Sequence, residues 1–208
     1  SELEGKMANG SSGFGTLVPL SEAIKNGRRP IKTKWVYVLK LELTGAIKEF
    51  KSRVVGCGYD QRKGFDYDET FASTIRSATV RAFFCVCAKY DYELALGDAI
   101  KAFTQAEMDT LMYGEIPRGF EVPGYCLRIN MSLEGTKQAA YLWQGKLNTA
   151  LTRQKFVRSL IDPCLYVLKT EEGIILVIVW VDDMAIGYSS AGMFERFKSE
   201  LKKDINCK

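Results

Sequence analysis

No histidine occurs among the 208 residues. That removes the Ser-His-Asp and Cys-His nucleophile pairs and any other chemistry that needs an imidazole. The six cysteines, at positions 57, 85, 87, 126, 164 and 207, include no Cys-x-x-Cys pair. A zinc site therefore lacks its usual ligands, and the cysteines read as reduced thiols serving as small apolar residues. Long apolar runs are missing too. The longest, Ile174–Val181, has eight residues, far short of the ~20 that a membrane-crossing helix needs. No positively charged start leads into an apolar stretch, so no signal peptide is read. The expectation is a soluble, intracellular chain that meets no membrane. The start at Ser1 and the stop in Asp204-Ile-Asn-Cys-Lys208 lead us to expect a piece of a longer protein.

What is present suits a folded chain of this length. With 47% hydrophobic and 26% charged residues, it reads as one globular domain or two small lobes, burying roughly 70% of its unfolded surface without disulfides. The net charge is +4, yet Glu22–Lys63 alone holds 11 Lys/Arg against 4 Asp/Glu. A basic N-terminal region beside a mildly acidic remainder fits a polyanion held near a carboxylate site, and it equally fits a solvated charged hairpin.

Periodicity predicts the elements. Two bulky runs, Lys34–Leu43 and Ala46–Val55, flank Thr44-Gly45 as a β-hairpin with lysines on its outer side. Ser77–Tyr90 fits a buried helix with Val80, Phe83, Phe84 and Cys87 on one face. A short strand at Glu93–Leu96 delivers Asp98. Tyr125–Met131 reads as a strand, and Gln138–Gln154 as a helix with Leu142, Trp143, Leu147 and Leu151 in a stack. Strands at Tyr166–Lys169, Ile174–Trp180 and Met184–Tyr188 precede a helix at Met193–Lys203. Ser1–Ser12 is polar and glycine-rich, and a disordered segment is expected over residues 1–13. The whole reads as an α+β fold, antiparallel sheet packed on helices.

The most informative stretch is Val179-Trp-Val-Asp-Asp-Met-Ala-Ile186. Asp182 and Asp183 sit between two apolar strands. One reading is an ordinary hairpin turn, since aspartate is a common turn residue. The other starts from two like charges lifted to one strand tip, which are unfavourable unless cations neutralise them. Hard oxygen donors without His or Cys suit Mg²⁺ or Mn²⁺. A two-metal site needs a third carboxylate from another element, and Asp98 at the end of its strand is the candidate. Asp66 and Asp68 compete, but their glycine-rich setting reads as loop.

Several blocks, in order, resemble the reverse transcriptase of copia-type LTR retrotransposon polyproteins from about Phe14 onward. They are Gly15-Thr-Leu-Val-Pro-Leu20, Lys32-Thr-Lys-Trp-Val-Tyr37, Gly45-Ala-Ile-Lys-Glu-Phe-Lys-Ser-Arg-Val-Val55 and Phe65-Asp-Tyr-Asp-Glu-Thr-Phe-Ala72. Ser132-Leu-Glu-Gly-Thr-Lys-Gln-Ala139, Asp162-Pro-Cys-Leu-Tyr166 and the Val-Asp-Asp box follow. The resemblance implies a domain over 14–208: right-hand fingers over about 14–92, and a ferredoxin-like palm over about 93–208 that stops before a thumb. It implies that Asp98, Asp182 and Asp183 are the palm carboxylates, with the Ala99 carbonyl helping Asp98 and Asp182 to hold two Mg²⁺ ions. Phe103 takes the place of the aromatic gate against a ribose 2′-OH. Lys48, Lys51 and Arg53 would reach the triphosphate, and Gly135 and Lys137 match the loop beside template and nucleotide. The implied activity is RNA-directed DNA synthesis, with a primer–template and deoxynucleoside triphosphates as partners. The implied setting is a Gag-Pol-like polyprotein in the cytoplasm, virus-like particles included. The alternative carried alongside is a vestigial or domesticated fragment that binds nucleic acid without catalysis. A metal-dependent nuclease would lack a general base such as histidine. This sequence departs from the family pattern at Trp180 and Glu134, where tyrosine is usual, at Gly97 and Ile100, and at Ala140, where proline is usual.

Overall fold

The computed structural model describes residues 13–208; the N-terminal stretch expected to be disordered lies outside the described residues except for Gly13. The chain forms two compact units. One comprises the segment ending at Thr70 together with Ala106–Leu142, the other Phe71–Gln105 with Trp143–Lys208. Both mix helix with antiparallel sheet. Among the described residues no helix is long and apolar enough to cross a membrane.

In the first unit, strands β1 (Gly15–Pro19), β6 (Tyr125–Met131) and β5 (Glu107–Gly114) form a three-stranded sheet in the order β1-β6-β5. Phe14, Ile31, Met112, Leu127, Ile129 and Leu133 make its core. A short helix α1 (Leu20–Lys25) buries Ala23 beside Val18, Tyr113 and Cys126. The expected hairpin is present as β2 (Thr33–Leu41) and β3 (Ile47–Gly56). Its turn is closed by Gly45 at φ +83°, a value that glycine adopts without strain. Only the base is anchored: Trp35 and Val54 pack on the core, while Tyr37, Leu39 and Phe50 farther out are exposed.

The second unit is a five-stranded antiparallel sheet in the order β4-β10-β9-β8-β7. Its strands are β4 (Glu93–Asp98), β10 (Asp183–Tyr188), β9 (Gly173–Trp180), β8 (Leu165–Thr170) and β7 (Val157–Arg158). Successive side chains of a strand point to opposite faces, and β9 is covered on both. Ile175, Val177 and Val179 join the cluster with Trp143, Leu147 and Leu151 of α3 (Ala139–Arg153) and with Phe197 and Leu201 of α4 (Ala191–Asp204). Leu176 and Ile178 instead meet Phe83 and Cys87 of α2 (Ser77–Lys89). Burial on both faces explains why this strand reads as an unbroken apolar run. Phe84, expected on the buried side of α2, is exposed, because Phe83 and Cys87 already fill the contact with the sheet.

Helix α2 has no capping side chain of its own. Asp162, from another segment, binds at its start. Its Oδ2 accepts from Arg76 N at 3.0 Å and Thr79 Oγ1 at 2.6 Å, and its Oδ1 from Cys164 N at 3.0 Å. This explains the Asp162-Pro-Cys block: the buried carboxylate ties Arg76 N and the Thr79 hydroxyl at the start of α2 to the Cys164 backbone, joining the two segments.

Candidate active site

Strand β9 turns into β10 through two residues, Val181 and Asp182, because Trp180 is already paired with Asp183. Asp182 is therefore a turn residue, as the hairpin reading expected, while Asp183 is the first residue of β10. Val181 has φ +58°, a conformation that β-branched residues avoid and that costs of order 1–3 kcal/mol. Both turn carbonyls are held. Val181 O accepts from Trp143 Nε1 at 2.7 Å, and Asp182 O accepts from Ala99 N at 2.9 Å.

On the other side of β10, Asp183 lies directly opposite Asp98 of β4. Directly opposed residues share a face, so Asp98, Asp183 and Trp180 form a row across three strands at the end of the sheet. Like charges placed opposite one another repel. One cation is at hand: Lys208 Nζ lies 3.0 Å from Asp98 Oδ2. The strand carrying Asp98 is extended by its neighbours, with Asp98 N donating to Lys208 O at 3.0 Å and Ile100 N to Asn206 O at 2.9 Å. Gln105 locks this pairing, since its Nε2 donates to Ile100 O and Asn206 O and its Oε1 accepts from Asn206 N. Phe103, in the 3₁₀ turn Ala102–Gln105, is half-buried against the core of this unit. Gly97, one of the departures, faces Met184, whose Cε would lie 3.2 Å from an added Cβ. The methionine fills the space that a larger residue at 97 would take.

Could these residues hold a divalent ion? Among the described residues, no group of three or more His, Cys, Asp or Glu side chains is gathered closely enough to cage one. The donor chemistry nevertheless suits Mg²⁺. That ion keeps several waters and takes one or two carboxylates plus substrate phosphates, in preference to an all-protein cage. Asp98 and Asp183, opposed across a strand pair, are two carboxylates of that kind.

The remaining candidates lie in the first unit. Lys51 and Arg53 share one face of β3, opposite Val38 and Val36. Lys48 is the extra residue where the register slips, for Lys40 pairs with Glu49 and Leu41 with Ile47. Arg53 is already engaged: its Nη1 lies 3.0 Å from Glu134 Oε1 and 3.1 Å from Oε2. The Glu134–Lys137 loop is fixed by backbone. Gly56 N donates to Glu134 O at 2.8 Å and Gly58 N to Gly135 O at 3.0 Å. Gly135 has φ +86°, and a Cβ there would stand 2.4 Å from Gly56 O, so no other residue fits. Lys137 N donates to Gln61 Oε1 at 2.6 Å. The side chain of Gln61 also reaches Gln138, which in turn donates to Asp66 O at 2.8 Å. Asp66 is buried, accepting from Arg62 N at 2.8 Å, and so serves as the structural loop acid that its setting suggested. A groove of about 530 Å³ runs between Lys34, Val36, Tyr59, Glu134 and Lys137.

Sequence reasoning missed Lys208, Gln105 and the indole of Trp143. Each acts through a long-range contact that no local pattern reveals; Trp143 was read only as core.

Residues 20–208 match the family described as reverse transcriptase (RNA-dependent DNA polymerase). Over 189 residues the chain is 32% identical to the retrovirus-related Pol polyprotein from transposon TNT 1-94 of Nicotiana tabacum, covering 89% of this chain and 14% of that protein. It is 34% identical over 178 residues to the retrovirus-related Pol polyprotein from transposon RE2 of Arabidopsis thaliana, covering 84% of this chain and 12% of that protein. The chain thus spans a small part of these relatives' length.

Proposed function

Because this chain belongs to the reverse transcriptase (RNA-dependent DNA polymerase) family, we propose that it extends a primer 3′-hydroxyl with deoxynucleotides on an RNA template, as one part of a Pol-like polyprotein. The observation that carries the proposal is the register that sets Asp183 opposite Asp98 with Asp182 in the adjoining turn. We assign this sheet and its helices to the palm and the basic β2–β3 hairpin to the fingers. Asp98, Asp182 and Asp183, with the Ala99 carbonyl, would hold Mg²⁺ or Mn²⁺. Such an ion, when bound, supplies Lewis acidity toward the primer hydroxyl and the leaving pyrophosphate. Asp98 and Asp183 would provide negative charge at the end of the sheet, and Asp182 would join them from the adjoining turn. Phe103, packed on the core, would act as the flat gate that leaves no room for a 2′-OH. Lys48, Lys51, Arg53 and Lys137 would meet phosphates of nucleotide or template, with arginine suited to phosphate by its fork of donors. Its expected setting, cytoplasm and virus-like particles, goes with that reading.

The test is primer extension on an RNA template with Mg²⁺ and deoxynucleotides. We expect extension by the unaltered chain and none by Asp182→Asn. Retained synthesis in that variant would remove Asp182 from the machinery. One observation favours a second reading, a fragment that binds nucleic acid without chemistry: the Arg53 guanidinium is already occupied by Glu134. Salt-sensitive RNA binding with no Mg²⁺-dependent synthesis would select that reading.

A further inference from the structure

The turn that carries the acidic pair holds a conformation its sequence does not favour. Val181, a β-branched residue, sits at φ +58°, where glycine is the natural occupant. Something outside the turn must keep it there. Asp182 O is tied to Ala99 N, which fixes the far side of the turn to β4. The Val181–Asp182 peptide itself is gripped by one side chain, through the 2.7 Å hydrogen bond from Trp143 Nε1 to Val181 O. Trp143 is 2% exposed and enclosed by the core of its unit, so packing holds the donor in place. A buried indole N–H needs an acceptor, and this one finds it at the strained residue. A phenylalanine would fill most of the same space without any grip on the turn.

We propose that Trp143 is a positioning residue: its indole N–H holds the strained Val181 turn and thereby fixes the backbone that presents Asp182 next to the Asp183–Asp98 strand pair. The inference rests on the reading of these three aspartates as the metal-binding group. Trp143 touches no reacting atom in this assignment and acts only through the turn.

The experiment is Mn²⁺ binding to the intact chain, followed by electron paramagnetic resonance. It compares the unaltered protein with Asp182→Asn, Trp143→Phe, Val181→Gly and the double variant Trp143→Phe/Val181→Gly. Asp182→Asn should abolish binding. Trp143→Phe should weaken it about tenfold, the effect of losing one hydrogen bond. Glycine at 181 removes the strain that the hydrogen bond offsets, so the double variant should regain affinity to within about threefold. A tryptophan that merely fills the core would lower the melting temperature, and glycine at 181 would not restore metal binding. Should Trp143→Phe fail to fold, 3-benzothienylalanine at position 143 keeps the shape, removes only the donor, and carries the same comparison. Unchanged binding without the donor, or a loss that glycine does not repair, overturns the inference while leaving the metal reading intact. No Mn²⁺ uptake by the unaltered chain, or uptake that survives Asp182→Asn, overturns the metal reading and the inference together.

Discussion

Glu134 is one carboxylate in an awkward place. It stands in the first unit beside Gly135 and Lys137, where positive charge would serve a polyanion best, and it takes the guanidinium of Arg53 for itself. Both partners are substantially exposed, so the pair contributes little to stability and is weakened by salt. Removing the acid frees the arginine at little cost to the fold. Glu134→Gln should therefore raise the affinity for single-stranded RNA roughly two- to fivefold, the reach of an exposed ion pair, with an unchanged melting temperature. Arg53→Ala should erase the gain. Titration of labelled RNA against the three proteins checks this, and equal affinities would show that Arg53 does not face the nucleic acid.

Helix α2 shows how an element can depend on a residue far from it in sequence. Burial works to raise the pKa of Asp162, but the hydrogen bonds from Thr79, Arg76 N and Cys164 N outweigh it and hold the carboxyl below the usual aspartate value. A depressed folded-state pKa means that its stabilisation is complete above the unfolded value of about 3.9 and fades as pH falls through the folded one. Asp162→Ala should cost about 2 kcal/mol, a melting temperature lower by about 4–8 °C in a chain of this size. The gap between variant and parent should close as pH drops below about 4; melting curves across that range decide it. Elements were legible in the sequence where one period dominated, as in the β2–β3 hairpin, α2, α3 and β9. Strand β5 was not. Glu107, Asp109 and Thr110 dilute its apolar residues, and its pairing with β6 slips between Glu107 and Met112. Strand β1 is five residues ending in proline, too short to carry a signal. The place of Asp182 and Asp183 at the end of β9 was legible because Asp-Asp between apolar strands is a local pattern. Trp143 and Lys208 were not, because hydrogen bonds between distant segments leave no period behind.

At the scale of the molecule, charge is segregated. The basic excess of Glu22–Lys63 is larger than that of the whole chain, and in the structure that stretch includes the hairpin whose outer half makes little core contact. Binding to single-stranded RNA should then be led by counterion release. If about five phosphates are neutralised, affinity should fall roughly a hundredfold between 50 and 200 mM salt. A flat salt dependence in a filter-binding series would move the nucleic-acid contact away from this region. The family assignment agrees with what the ordered sequence blocks implied. The two-sided burial of β9 has a consequence for how copies of such a gene decay. A copy kept only for its ability to fold must still hold Ile175 through Val179 apolar, since a polar change on either face opens a core. The exposed Asp182 and Asp183 that follow it enjoy no such protection, and folding alone gains nothing from setting like charges side by side. Selection for chemistry would therefore be written in Asp182 and Asp183, and selection for folding in the strand that carries them.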